Sequence, residues 1–131
     1  MTNQEVFDKV ATHLLTQGKQ SVNAGGTCLY RGPGGTSCAV GCLIPDKVYR
    51  EEMEGNDLAR LPHVRGLKTA LGVGARLDPN DTRFDLLYAL QGAHDILDNW
   101  WNDMQKLRDA LQRIAADFGL SPAVVTNWVK E

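Results

Sequence analysis

The sequence predicts an α+β, helix-dominated fold: one compact domain of about five helices with a single glycine-rich β-hairpin. Three observations lead there. Apolar residues recur at helical spacing over most of the chain. Residues 25–44, GGTCLYRGPGGTSCAVGCLI, break that rhythm and hold all three cysteines. With 131 residues, 43% of them hydrophobic, there is enough apolar material for one core and not for several.

The elements follow in order. Thr2 and Glu5 form a capping-box signature, and Val6, Phe7, Val10, Ala11, Leu14 and Leu15 then mark one face of a helix over 3–17, with Gly18 as its stop. His13 sits beside that face as a boundary residue. A β-hairpin is expected over 27–44. Its arms are Cys28-Leu29-Tyr30 and the run 38–44, on either side of Gly32-Pro33-Gly34-Gly35. In the second arm Cys38, Val40, Cys42 and Ile44 alternate with Ala39, Gly41 and Leu43, so each set lines one face. Pro45 opens a short helix, 45–54, that carries the most acidic patch of the chain, Glu51, Glu52 and Glu54. A second short helix is expected over 62–71, and residues 72–81 read as a loop. Asp81 then caps a helix over 82–98 whose stripe is Phe84, Leu87, Leu90, His94 and Leu97. Trp100, Met104, Leu107, Leu111, Ile114 and Phe118 define a helix over 100–118. Ser121 and Pro122 open a last short helix, 122–129.

Composition narrows the function. No apolar run is long enough to cross a membrane and no secretion signal opens the chain, so the expected compartment is a cytoplasm, with reduced thiols. The net charge of -2 and scattered Lys and Arg disfavour bulk nucleic-acid binding.

Several constellations carry possible chemistry. Cys38 follows a glycine turn, and His94 on a later helix is a candidate base, with the N–H groups of Gly34, Gly35 and Gly41 available to an oxyanion. The competing reading places Cys38 and Cys42 in the core. Asp95 points about 100° away from His94 around a helix, which argues against it as that histidine's orienting partner. The spacing C-x9-C-x3-C, even with His13, His63 or His94 as a fourth ligand, matches no familiar zinc pattern, and no metal or cofactor is expected. GPGG lacks the lysine and spacing of a phosphate-binding loop. Residues 111–130 follow the grammar of a helix-turn-helix that would present Thr126 and Asn127 to DNA, although no basic surround accompanies them. Tyr30 and Arg31, beside the tip of the hairpin, are the residue types that anchor protein interfaces, and the Glu51, Glu52, Glu54 patch would complement a basic partner.

The string CLYRGPGGTSCAVGCLIPDKVY, followed by Met53-Glu54-Gly55 and later by Leu90-Gln91 and His94-Asp95, resembles a pattern of small uncharacterised proteins of bacteria and their phages. The likeness spans about half of the chain. It implies a small cytosolic accessory protein, phage- or prophage-borne, and brings no activity with it. Together these readings favour a protein that binds a macromolecular partner, itself a protein, as an inhibitor or regulator. The alternatives are a cysteine-dependent enzyme using Cys38 and His94, and a DNA-binding regulator acting through 111–130.

Overall fold

A computed structural model of the chain describes residues 1–60, 66–72, 82–97 and 99–129. Among them are five α-helices: α1 (Asn3–Gln17), α2 (Leu67–Leu71), α3 (Arg83–Asp95), α4 (Met104–Asp117) and α5 (Ala123–Thr126). The Asp81 cap, the start of the 62–71 helix and His63 lie outside the described residues.

The hub is α1. At its start the Thr2 hydroxyl accepts from the Glu5 N–H at 3.1 Å while the Glu5 carboxylate accepts from the Thr2 N–H at 3.0 Å, so two otherwise orphaned donors are satisfied. Gly18, in the left-handed conformation, ends it with an N–H bond to Leu14 O. Between these caps Val6, Phe7, Val10, Ala11, Leu14 and Leu15 are all buried, each worth about 1.5–3 kcal/mol where the side chain is large. Around that face pack α3, α4, α5 and the 3-10 turn Gly41–Leu43. Trp100, which precedes α4, is fully buried, and its indole N–H donates to the His94 carbonyl at 3.0 Å. The α4 N-cap is Asp103, whose carboxylate accepts from Gln105 N.

The expected β-hairpin, and with it the α+β class, is overturned. Among the described residues there is no strand; residues 20–44 hold only two isolated antiparallel bridges, Val22 with Cys28 and Arg31 with Ser37. The cause lies in where the backbone donors go. Tyr30 N and Arg31 N donate to the two carboxylate oxygens of Glu54, at 2.7 and 3.1 Å, and so are lost to any ladder. The second arm does not stay extended either. Val40 is helical and Gly41–Leu43 coil as a 3-10 turn, because Gly41 packs directly on the Tyr30 carbonyl: a Cβ there would lie 2.0 Å from that oxygen. Alternation was the wrong template for this run. Cys38, Ala39, Val40, Gly41, Leu43 and Ile44 are all buried, as befits a turn sunk in the core.

This turn and the C-terminal half of α3 face each other across Gln91. Its carbonyl accepts from Val40 N at 2.9 Å, and its amide donates to Asp95 Oδ1 at 2.9 Å. The link sets the position of the site described next.

Candidate functional site

A cavity of about 230 Å3 opens between the 28–30 segment, the 56–58 segment and α3. Cys28, Cys38, Gln91 and Asp95 contribute polar atoms to its wall, and Tyr30, Leu58, Tyr88 and Ile96 contribute apolar surface.

The best-organised group there is Cys28, His94 and Asp95, whose donor atoms lie within 4.8 Å of one another. His94 is fully buried. Its Nδ1 lies 2.6 Å from Asp95 Oδ1, and its Nε2 lies 2.9 Å from the backbone nitrogen of Ser21. A backbone N–H only donates, so Nε2 must carry the lone pair and Nδ1 the proton. The ring is therefore neutral and donates to Asp95. Here the sequence-based geometry was misleading. The Cα–Cβ directions of neighbours on a helix diverge, but at the C-terminal end of α3 the two side-chain tips turn toward each other.

Asp95 is the focus of the group. Oδ1 accepts from both His94 and Gln91. The Cys28 sulfur lies within 4.8 Å of the carboxylate and also favours its charged form. Burial drives the Asp95 carboxyl upward, but these hydrogen bonds outweigh it and hold the group below the ordinary aspartate value. Every donor among these three side chains is neutral, so the negative charge of Asp95 is hydrogen-bonded without being cancelled.

The thiols are poor nucleophiles. Burial, then the charge of Asp95, pushes Cys28 up to about 12. Burial likewise pushes Cys38 up to about 12 against the opposing effect of the Gly41 N–H, which donates to its sulfur at 3.2 Å. Cys42 donates its S–H to Ala39 O at 3.1 Å and is also pushed up to about 12 by burial. Both ring nitrogens of His94 are engaged, by Ser21 and by Asp95, so the ring offers no free base to Cys38.

The same tautomer decides the question of a metal. An imidazole that binds a metal through one nitrogen donates from the other, but Nε2 of His94 faces an N–H donor. Cys28, His94 and Asp95 form a hydrogen-bonded cluster and do not fit a metal's ligand set.

The remaining sequence candidates fall elsewhere. Tyr30 is buried, with its hydroxyl donating to Asn56 O at 2.6 Å. Arg31 donates to Ile44 O, pairs with Asp46 at 2.8 Å and lies over the Tyr49 ring. Glu54 is spent inside the fold on Tyr30 N, Arg31 N and the Tyr49 hydroxyl. Glu51 and Glu52 are exposed on the turn Glu51–Met53. Thr126 and Asn127 are exposed at the end of α5, a helix of one turn. That end is tied back: Arg108 donates to Trp128 O and lies over its ring, and Gln4 exchanges hydrogen bonds with the backbone of Ser121.

Sequence reasoning did not single out Cys28, Gln91, Gly92 or Asp95 as one site. A signal was present in the i, i+4 spacing of Gln91 and Asp95 and in a glycine between them. No family model, curated protein or solved structure matches this chain.

Proposed function

We propose that this chain is a non-catalytic binding protein and that a protein partner seats one side chain in the cavity beside Gly92. The observation that carries this reading is Gly92 itself. It lies inside α3 with ordinary helical backbone, and among the described residues a Cβ added there meets nothing within 4 Å. Glycine at such a position costs a helix about 1 kcal/mol relative to alanine. Neither a turn nor a close approach within the fold requires it. Gly92 is also part of the cavity wall. A residue without a side chain at this place leaves the helix backbone open to a group entering the cavity.

Size and rim support the same reading. Pockets for drug-sized ligands run from about 300 to 1,000 Å3; about 230 Å3 suits a single side chain. Two apolar residues that line the cavity stay in solvent, Tyr88 at 58% and Ile96 at 81% exposure, and such groups at a cavity mouth gain most from a partner's cover. The protonated thiols weigh against the cysteine-enzyme alternative, and a one-turn α5 weighs against DNA reading. In the setting that the sequence resemblance implies, the partner is a protein of a bacterium or its phage, regulated by being bound.

The test uses Gly92→Met, which fills the open space from a helix-compatible residue. Peptides selected from a random library on the wild-type protein are expected to lose about tenfold or more in affinity on this variant. Selected peptides that bind both proteins equally contradict the reading.

A further inference from the structure

We infer that the group seated in the cavity is a cation, the ammonium of a lysine or the guanidinium of an arginine on a protein partner. This rests on the binding reading above and specifies its chemistry. Two carboxylates line the cavity, Asp57 and Asp95, and among the described residues no Lys or Arg lines it. Asp95 is the stronger argument. Its partly exposed charge sits at the cavity wall, and the side chains that hydrogen-bond it, His94 and Gln91, are neutral, so an entering cation would meet a negative charge. The side-chain bonds from His94 and Gln91 both fall on Oδ1, which leaves lone-pair capacity on Oδ2 for an entering N–H. Asp57 is exposed, and among the described residues its ion-pair partner is Arg60, 3.9 Å away with a side chain 81% exposed. A surface pair of that geometry contributes little and is readily exchanged.

The rest of the wall fits the same guest. Tyr30 and Tyr88 offer aromatic surface, which attracts ammonium and guanidinium groups. The methylene stem of lysine or arginine would lie along Leu58 and Ile96, an amphipathic match of apolar stem and charged tip. The exposed Glu51 and Glu52, elsewhere on the surface, add attraction for a basic partner at a distance. A protein source is favoured over a free amine because Tyr88 and Ile96 remain exposed for a larger surface to cover.

Four probes decide it at low ionic strength: short peptides of one sequence carrying lysine, arginine, norleucine or glutamate at the central position. Lysine or arginine is expected to bind about tenfold more tightly than norleucine, the uncharged analogue, because the added bond is charge-assisted. Asp57→Asn, an exposed change that leaves the fold intact, is expected to narrow that gap, as is added salt. Gly92→Met is expected to abolish binding of all probes. If norleucine or glutamate binds as well as lysine and Gly92→Met still abolishes it, the cation inference falls while the binding reading stands. If no probe distinguishes wild type from Gly92→Met, the binding reading falls with it. Free pentylamine binding as tightly as the peptide overturns the protein source.

Discussion

Gly92→Ala isolates the claim that this glycine is kept for the cavity and not for the fold. Alanine stabilises a helix interior by about 0.5–1 kcal/mol relative to glycine. That gain is normally cancelled where the new methyl group collides with a neighbour or the backbone has positive φ. Neither applies, because among the described residues nothing lies within 4 Å of the added Cβ and the residue sits within α3. The full gain should therefore appear. For a chain of this length it corresponds to a rise in Tm of about 2–4 °C. With a urea m-value of about 1–3 kcal/mol per M, the midpoint should move up by roughly 0.2–1 M with m unchanged. Urea titration of both proteins by circular dichroism measures this directly. A variant that is destabilised, or no more stable than wild type, would refute the reasoning: the glycine would then serve the fold.

The other expectations cover the opposite kind of glycine, the His94 cluster and pH. Gly41→Ala should cost about 3 kcal/mol or more, since the methyl would press on the Tyr30 carbonyl; a Tm within a few degrees of wild type would contradict that. His94→Ala should cost about 3 kcal/mol or more by denaturant titration, because it leaves Ser21 N–H and Asp95 unpaired beside a void. None of the three thiols should react rapidly with a disulfide reagent at pH 7, and all should react on unfolding; selective fast labelling of Cys38 would revive the enzyme reading. Because burial raises the folded thiols to about 12, their contribution is complete below the unfolded value of about 8.5 and is lost as pH rises from there toward about 12. For Asp95 the sign reverses. Its folded value is lowered, so its contribution is present above about 3.9 and is lost as pH falls through the folded value. Asp95→Asn should remove that acid-side loss from a Tm-against-pH profile.

Local signals were legible where one neighbourhood decides the outcome. Thr2 and Glu5 announce the start of α1, and the apolar residues of its stripe are those found buried. The hairpin was misread because its fate depends on Glu54, more than twenty residues away, which captures the N–H groups of Tyr30 and Arg31. An apolar run such as 38–44 has the same composition as an extended strand or a buried turn, and only the contact of Gly41 with Tyr30 O separates them. The site was partly visible in His94 and Cys38. Its actual focus, Asp95, was set aside on helix geometry that describes Cβ directions and not side-chain tips. Gly92 passed unnoticed because a helical glycine acquires meaning only when the space around it is known.

The most direct test of the account is nuclear magnetic resonance mapping of the lysine-bearing peptide on wild-type protein and on Gly92→Met. Shift changes in the wild type should centre on Cys28, Gln91, Gly92, Asp95 and the exposed Tyr88 and Ile96, and should vanish in the variant. Changes centred elsewhere, or unaltered by filling the cavity, would contradict the claim that this cavity is where the protein does its work.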